Sequence, residues 1–423
     1  MDYHGVQRTR RFHVCRPFDS SQFIRSLYAR DNSRAIEECA ARDGAAHTRH
    51  RHVPCGHRWF GAEWLLPVIA HDLDVSEATA GQLATVFALT YAIASPLVAA
   101  LTGNWDRRGL LIGGMALFTV GMVGQAIGTS FLLMAVARAI AALGAAAFQS
   151  NAYVVAGAVA TDEHRGRALA TVAAGMTVSI VIGVPIGVWV AQLLGWRMVM
   201  WVLAAAGTLL ALAVTILPAV HVPPAGLRTR LSVALRPAVA KALVITVLGV
   251  LAGFTVFVYL PLIVAPSATG TALSWVLAAY GVGQVVGNVL TGRWIDRYGP
   301  GRIRLVSLAG FAVTLAVMDV AVRSLAGAVL IELIAGVFAS MLMVPQQHRL
   351  FSAAPDVPIV AVGLNGSAIY FGGALGSAMG GVVLTTAGVH WLATAGALAA
   401  VVGFVLAWVT RAPHPAHDAV TTG

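Results

Sequence analysis

The stretch LTGNWDRRGLL, at residues 101–111, is a short charged segment between two long apolar runs. About 190 residues later, residues 290–305 read LTGRWIDRYGPGRIRL, again between two apolar runs. Each copy holds a glycine that suits a tight turn, an aspartate, and arginines that keep the segment in water. One such loop is a weak signal, but two copies at matching places predict a duplicated membrane domain.

The composition also indicates a membrane protein. Of 423 residues, 58% are hydrophobic and only 11% are charged, and the mean hydropathy is +0.78. A soluble domain of this length could not bury so much apolar surface. Beyond residue 58, the basic residues that contribute to the formal charge of +10 stand in short loops between apolar runs instead of forming one patch, so we expect no nucleic-acid partner.

Residues 1–58 differ from the rest of the chain. They hold 11 of the 28 Lys and Arg residues, six of the 13 His and all three Cys, without an apolar run. We interpret them as an atypical basic leader, either disordered or a mis-started segment. The His and Cys residues at 47–57 match no standard zinc spacing and stand among arginines, so no metal site is predicted.

Twelve apolar runs separated by polar or Gly/Pro clusters predict an all-α membrane protein. We number them spans 1 to 12, at residues 59–70, 80–102, 110–127, 131–160, 168–194, 198–217, 241–265, 272–291, 303–322, 325–350, 359–387 and 391–410. They predict a first six-helix bundle at 59–217, a linker at 218–240, a second bundle at 241–410 and a tail at 411–423. Span 1 is short, since its 12 residues cover ~18 Å of a ~30 Å hydrocarbon core.

The loop charges predict the orientation. Fourteen Lys and Arg residues lie in loops 2/3, 4/5, 6/7, 8/9, 10/11 and the tail, against Arg197 and Arg323 in the opposite loops. Positively charged loops stay inside, so both termini are predicted to be cytoplasmic. An even number of spans also places both termini on one side.

Two six-helix halves, a basic linker and a Gly/Asp/Arg loop in each half resemble the major facilitator superfamily over residues 59–410. Three further segments carry the resemblance: RAIAALGAA at 138–146, GMTVSIVIGVPIGVWVAQLLGWR at 175–197 and LNGSAIYFGGALGSAMGG at 364–381. The second is similar to a motif of drug-exporting antiporters. The third, with RGRALA at 165–170, looks like the bacterial drug and sugar efflux branch. The resemblance implies two six-helix bundles related by a pseudo-two-fold axis, in the inner (cytoplasmic) membrane of a bacterial cell.

The resemblance also implies a conformational latch at the repeated loop. Asp106 would rest against the N-terminus of span 11 while Arg107 or Arg108 pairs with an acid below span 4. The latch residues are Gly103, Asp106, Arg107, Arg108, Asp162, Gly292, Asp296 and Arg297. The antiporter motif of span 5 consists of Gly175, Gly183, Pro185 and Gly187. These glycines would allow close helix approach, with or without rocking of the halves, and the proline would soften span 5.

Ionisable residues inside spans are few, and their burial is costly, so they indicate function. Arg138 in span 4 needs an acid or carbonyl partner, and the candidate acids are Glu332 in span 10 and Glu63 in span 1. We predict that one of these acids, together with Arg138, couples transport to protons; a purely structural Arg138 is the alternative. Predicted substrate-cavity residues are Gln149, Asn151, Tyr153, Phe254 and Tyr259, for each of which ordinary helix packing is the alternative.

These features predict a secondary active transporter that exports small drug-like molecules in exchange for protons. We expect it to act as a monomer in the bilayer, with the proton gradient as energy source and no cofactor. A sugar or nucleoside exporter of the same fold is the nearest alternative, and a non-transporting sensor or inactive transporter is another, because span 1 is short. No catalytic residue is predicted, since the sequence shows no nucleophile with a base, metal cluster or phosphate loop.

Overall fold

The computed structural model describes residues 65–102, 105–159, 164, 172, 175, 179–217, 226–268 and 271–410. In this part of the chain the structure consists of helices joined by short turns, and no β-strand occurs. Nine of the described helices are long and apolar enough to cross a membrane. The predicted leader at 1–58 and tail at 411–423 lie outside the described residues.

The first half contains spans 1 to 6. Span 1 is Leu65–Asp72, span 2 Glu77–Leu101, span 3 Arg107–Ile127, span 4 Phe131–Val159 and span 6 Trp196–Val214. Span 5 is described from a π-helical turn, Ser179–Gly183, which continues as the α-helix Val184–Leu194. Local chemistry sets several ends: Ser76 caps span 2 by accepting the Thr79 N–H, and Gly195 turns the chain into span 6 with a φ of 86°.

The second half repeats this order after a short linker helix, Leu227–Ala234. Span 7 is Pro237–Phe257, span 8 Thr271–Tyr298, span 9 Pro300–Ala316, span 10 Leu325–Met341, span 11 Pro358–Thr386 and span 12 Trp391–Val409. Short helices follow three of them: Leu260–Val264 after span 7, Met318–Ala321 after span 9 and Met343–Ala353 after span 10. Spans 7, 9 and 11 start with proline, which needs no helical N–H partner there.

The second copy of the repeated loop does not turn at the predicted glycine. Span 8 runs through Gly292 and Asp296 to Tyr298. The turn lies at Gly299, whose φ of 77° suits glycine. The prediction of a turn at Gly292 was therefore wrong. Packing explains the difference, because Ile295 is only 8% exposed, and its burial outweighs the ~1 kcal/mol that a glycine costs inside a helix.

The linker is also more ordered than its polar sequence predicts. It contains the helix Leu227–Ala234, and span 7 begins at Pro237 instead of residue 241. Val233 is 1% exposed and packs with Val239 and Leu350 in an apolar cluster of the second half. Val233 is the buried residue of this helix and packs it against the bundle, and the polar residues around it hide that signal in the sequence.

Equivalent spans pack together in the two halves. In the first half, span 4 packs against spans 2 and 3, and span 3 against span 6. In the second half, span 10 packs against spans 8 and 9, and span 9 against span 12. Among the described residues, the halves meet mainly through span 2 against span 11 and span 5 against span 8. The predicted all-α fold with two repeated bundles is confirmed.

The two ends of the bundle are named here by their loops. The basic end carries loops 2/3, 6/7, 8/9 and 10/11, with residues such as Arg108, Arg236 and Arg302. The opposite end carries loops 1/2, 3/4, 5/6, 7/8, 9/10 and 11/12. The side of the membrane that each end faces stays a prediction.

Candidate functional site between the two halves

An aromatic cluster lies where spans 2 and 11 meet. It consists of Phe87 and Tyr91 from the first half and Tyr370 from the second. The rings of Tyr91 and Tyr370 stack with their centroids 3.5 Å apart, and the Phe87 ring lies 6.4 Å from each of them. Phe87 and Tyr91 are one helical turn apart and therefore share a face of span 2. A separation of 3.5 Å is van der Waals contact, so no ligand fits between the two tyrosine rings in this conformation.

The side-chain amide of Gln149 joins this cluster to span 4. Its Oε1 accepts a hydrogen bond from the Tyr91 hydroxyl at 2.6 Å and a longer one from the Tyr370 hydroxyl at 3.3 Å. Tyr91 is only 4% exposed, so a hydroxyl without a partner would be costly there. One acceptor thus serves hydroxyls from both halves, and separating the halves must break the ring stack and the longer hydrogen bond.

Arg138 lies beside the aromatic cluster. Its Nη1 donates to Oε1 of Gln125 at 2.9 Å, and its guanidinium lies 5.8 Å from the centre of the Phe87 ring. Gln125, on span 3, is fully buried and donates in turn to the Gly121 carbonyl. The amide and the ring face stabilise a cation without neutralising it. A positive group is thereby placed next to the contact between the halves.

A second contact between the halves lies toward the opposite end, ~15 Å away along span 2, because ten residues separate Gly81 from Tyr91. The fully buried ring of Tyr259 fits there between spans 2 and 11. Its hydroxyl donates to the Ser377 carbonyl at 3.0 Å and accepts from Nε2 of Gln82 at 3.4 Å. A Cβ at Gly81 would lie 2.4 Å from the Tyr259 hydroxyl, so this position requires glycine in the observed conformation.

At the basic end, the linker helix contacts spans 2, 7 and 11. Arg236, just before span 7, binds both carboxylate oxygens of Asp356 at 2.5 and 2.7 Å. Hydrogen bonding from Arg236 lowers the pKa of the Asp356 carboxyl to about 2. Both side chains are exposed to solvent, so the pair positions the loop before span 11 more than it stabilises the fold.

The latch residues of the first half surround the start of span 3. Asp106 caps this helix by accepting the N–H groups of Arg108 and Gly109 at 3.2 and 3.4 Å. Arg107 is buried and donates to Oδ1 of Asn151, on span 4, at 3.1 Å. The loop is therefore joined to span 4 by a neutral amide, a partner that the predicted latch did not include.

The second copy of the loop has another geometry. Asp296 and Arg297 are exposed on the last turns of span 8, and the Arg297 guanidinium lies 5.3 Å from the centre of the Tyr298 ring. Gly103 and Asp162 lie outside the described residues. The mechanical role of the latch therefore stays a prediction.

Glu332 is buried inside the second half. It is 2% exposed and lines a cavity of about 10 Å³ together with Phe257 and Tyr280. This is about the space that one water molecule needs. Among the described residues no ion pair includes Glu332. The structure does not bring Glu332 to Arg138, which bonds to Gln125 in its own half, and Glu63 lies outside the described residues.

The predicted cavity residues take different positions. Gln149 and Tyr259 lie at the contacts between the halves, as described above. Asn151 is 3% exposed and packs within the first half, where its Nδ2 also donates to the Ala147 carbonyl at 2.7 Å. Phe254 packs against span 11, since a Cβ at Gly373 would lie 3.4 Å from its ring. The side chain of Tyr153 lies outside the described part of the structure.

The glycines of span 11 form two groups. Gly372 and Gly376 pack against the backbone of span 7 in the same half, where an added Cβ would lie 2.6 and 2.5 Å from carbonyl oxygens. Gly380 and Gly381 face Tyr259 at the contact between the halves. Span 11 therefore uses one pair of glycines to pack within its own half and the other pair at the contact between the halves.

Span 5 looks different at its motif residues. Among the described atoms, none lies closer than 3.9 Å to a Cβ placed at Gly175, Gly183 or Gly187. The π-helical turn Ser179–Gly183 comes just before Pro185, which has no N–H for the helical ladder. The irregular turn next to Pro185 fits the prediction that this proline softens span 5. The described structure does not show the close packing that was predicted at these glycines.

Sequence reasoning missed three residues at the contacts between the halves, Gln82, Phe87 and Tyr91, and also Gln125, the partner of Arg138. A signal was present for the two glutamines, because polar side chains inside apolar spans are uncommon and usually face other helices. The aromatic pair gave only a weak signal, since aromatic residues one turn apart on a helix most often serve packing.

The chain is similar to known membrane transporters. Residues 59–267 and 242–422 match the family model described as Major Facilitator Superfamily. The chain is 32% identical to the inner membrane transport protein YdhP of Escherichia coli (strain K12) over 367 residues, which cover 84% of this chain and 92% of that protein. It is 35% identical to a chloramphenicol resistance protein of Streptomyces lividans over 245 residues, or 55% of this chain and 62% of that one. It is 26% identical to the chloramphenicol efflux pump MT0201 of Mycobacterium tuberculosis (strain CDC 1551 / Oshkosh) over 334 residues, or 75% and 80%.

Two repeated helical bundles that meet at small-residue and aromatic contacts, in a chain this apolar, define a multi-pass membrane protein of the transporter class. The family match makes the assignment specific: the chain belongs to the major facilitator superfamily. It is therefore a membrane transporter and not an enzyme, as predicted from the sequence.

Proposed function

We propose that this transporter exports small ring-bearing organic molecules in exchange for protons, by alternating access of its two halves. The observation that carries the proposal is the stack of Tyr91 on Tyr370 across the contact between the halves. A planar apolar molecule offers the same face-to-face contact, so it can replace one of the two rings when the halves separate. Two relatives are named for chloramphenicol resistance or efflux, which supports a drug-like substrate.

Alternating access is supported by the arrangement of contacts along spans 2 and 11. The contact of Tyr259 with Gly81 must open to expose the aromatic cluster to the opposite end. The linker helix, which touches spans of both halves, must shift to expose it to the basic end. We infer that the basic end faces the cytoplasm, with both termini there, and that the monomer is the transporting unit.

Glu332 is the proposed proton carrier. A carboxyl group can hold a proton while it is buried and lose it when it becomes accessible to water. The adjacent water-sized cavity provides a place for this proton transfer. Arg138, which lies beside the aromatic cluster, would then act on the substrate instead of on this acid. Glu63 is the second candidate for the proton. The proton gradient supplies the energy, so no cofactor is required.

A sugar or nucleoside exporter is the second candidate function. The observation that favours it is the set of polar groups around the cluster, namely Gln149, Gln125 and Arg138, which could bind hydroxyl groups. Such a substrate would use these hydrogen bonds more than the tyrosine faces.

The test is uptake into inside-out membrane vesicles, where an exporter accumulates its substrate. Radiolabelled chloramphenicol, a pentose and a nucleoside are compared with and without a protonophore, and vesicles without the protein serve as the control. We expect gradient-dependent accumulation of chloramphenicol alone. Accumulation of only the sugar or the nucleoside would support the second candidate. If none of the three accumulates while the protein is present and folded, export of these three compounds is excluded and the stacking argument for a chloramphenicol-like substrate fails.

A further inference from the structure

The second half contains a cavity at the opposite end that the proposed transport function does not use. Its volume is about 260 Å³, and it lies among loops 7/8, 9/10 and 11/12. The apolar part of its wall includes Leu262, Ile263, Val322 and Val389. Because these loops join membrane spans, the cavity lies where the helices leave the hydrocarbon region. It is smaller than the roughly 300–1,000 Å³ of pockets for drug-sized ligands, so it suits a compact group.

Three charged or ionisable side chains line the same cavity, one from a short helix and two from neighbouring loops. They are Asp319, Arg323 and His390. Burial raises the pKa of the Asp319 carboxyl, and the charges of His390 and Arg323 act in the opposite direction. In the described part of the chain, no ion pair joins Asp319 to Arg323 or His390. An acid and two basic groups therefore stand apart around one cavity.

This arrangement matches a ligand that carries both charges close together. The carboxylate of Asp319 accepts hydrogen bonds and suits an ammonium group with N–H donors. The Arg323 guanidinium suits a phosphate, and an imidazole such as His390 can donate a hydrogen bond in either protonation state. An anionic lipid has no cation for Asp319, and a trimethylammonium group has no N–H to donate to it.

We propose that this cavity binds the headgroup of phosphatidylethanolamine, with its ammonium group at Asp319 and its phosphate between Arg323 and His390. The position at the membrane surface favours a lipid over a free zwitterion, because the acyl chains can stay in the bilayer while the headgroup enters the cavity. The proposal does not depend on the transported substrate.

The test compares lipids on the purified full-length chain in detergent. Phosphatidylethanolamine, phosphatidylcholine and phosphatidylglycerol with identical acyl chains are added, and lipid retention by native mass spectrometry and the thermal unfolding midpoint are measured. We expect phosphatidylethanolamine to bind at least about tenfold more tightly than the other two, because only it forms the charge-assisted hydrogen bonds at Asp319. Equal binding of the three lipids would overturn the proposal.

Variants assign the preference to the cavity. Asp319→Asn should abolish the preference for phosphatidylethanolamine over phosphatidylcholine, and Arg323→Gln should weaken the binding of both lipids. The matched control is Asp74→Asn, in loop 1/2 at the same end, where a φ of 52° is tolerated by asparagine. A preference that persists in Asp319→Asn would overturn the assignment. If Asp319→Asn does not fold, the exposed residue Arg323 supplies the deciding variant.

A soluble competitor distinguishes the source of the headgroup. Glycerophosphoethanolamine has the same charges without acyl chains, and we expect it to displace the lipid only at much higher concentration. If this compound raises the thermal unfolding midpoint as strongly as the lipid does at the same concentration, the cavity binds a free zwitterion. That result would exclude the lipid as its specific occupant.

Discussion

Each half carries one ionisable residue well inside its fourth helix, and the two halves surround it differently. In span 4, Arg138 bonds to Gln125 and lies against Phe87, next to the contact between the halves. In span 10, Glu332 faces the interior of its own bundle beside Tyr280 and a water-sized cavity. The fold is repeated, but the chemistry at its buried charges is not.

This difference means that the proposed substrate site, beside Arg138, and the proposed proton site, at Glu332, lie in different parts of the protein. A group at Glu332 can affect the contact between the halves only through the packing of the second half. Span 7 offers a route, since Phe257 lines the Glu332 cavity and Tyr259, two residues later, forms the contact with Gly81. We propose that protonation of Glu332 shifts this part of span 7 and so changes the closure at the opposite end.

The largest effect is expected for Glu332→Gln, which removes the ionisable group and keeps its shape. The initial rate of gradient-driven uptake into inside-out vesicles should fall roughly a hundredfold, because the proposed proton carrier is lost. This fall corresponds to a transport barrier that is about 2.7 kcal/mol higher. Substrate movement down its own gradient should remain. Both rates are measured in the same vesicles, with and without a protonophore.

The control for this variant is Glu77→Gln, the same change in the first turn of span 2 at the opposite end. It should leave the gradient-driven rate close to that of the unmodified protein. Full proton coupling in Glu332→Gln would assign the proton to another acid, such as Glu63, and would remove the contrast between the two halves.

The next effect concerns the cation of the first half. Arg138→Gln should raise the KM for substrate about tenfold, because a hydrogen bond to a charged group contributes roughly 1.5–3 kcal/mol. The dependence on the proton gradient should persist. Arg138→Lys keeps the charge and should recover part of the affinity. If both variants lower only the thermal unfolding midpoint and leave KM unchanged, Arg138 is a structural residue.

The residues of this comparison were predictable from the sequence, but their partners were not. Arg138 and Glu332 are conspicuous because ionisable side chains inside apolar spans are rare. Their opposite charges favoured a pairing that the structure does not show. The partner of Arg138 is Gln125, a neutral side chain 13 positions earlier on the neighbouring helix. Only the packing of spans 3 and 4 brings these two side chains together.

A smaller effect is expected at the aromatic cluster. The hydrogen bond from Tyr91 to Gln149 lies within the first half and is short, whereas that from Tyr370 crosses between the halves and is long. Tyr91→Phe should therefore destabilise the protein by about 1 kcal/mol, and Tyr370→Phe by less. Thermal unfolding midpoints in detergent give the order, with Tyr298→Phe at the exposed end of span 8 as the control. The reverse order would show that the contact between the halves dominates the cluster.

The repeated loop shows where prediction from sequence ends. Its two copies correctly predicted two related bundles, because a repeated sequence builds a repeated unit. Their local geometry differs all the same: Asp106 caps span 3, whereas span 8 passes through Gly292 and turns at Gly299. The cause is the burial of Ile295, a tertiary contact that the spacing of glycines does not reveal.

The smallest effects belong to one charge pair in each half. Asp72, at the end of span 1, accepts hydrogen bonds from Trp196 at 2.8 Å and Arg197 at 2.6 Å, which join it to span 6. Among the described residues, Asp356 pairs with Arg236, and the pair is exposed. Asp72→Asn should lower the thermal unfolding midpoint more than Asp356→Asn, because two different side chains lose their ionised acceptor, whereas both donors to Asp356 belong to Arg236.

The pH dependence tests the weaker pair directly. The Asp356 carboxyl has a pKa of about 2 in the folded protein against an ordinary value of 3.8. A pKa that is lowered by folding adds stability above the ordinary value, and this stability is lost as the pH falls through the folded value. The midpoint of Asp356→Asn should thus lie slightly below that of the unmodified protein at about pH 6, and the two should converge as the pH approaches about 2. A difference that stays constant over this range would mean that the carboxylate charge does not hold the pair. The position of the loop would then depend on the apolar cluster that contains Val233, Val239 and Leu350.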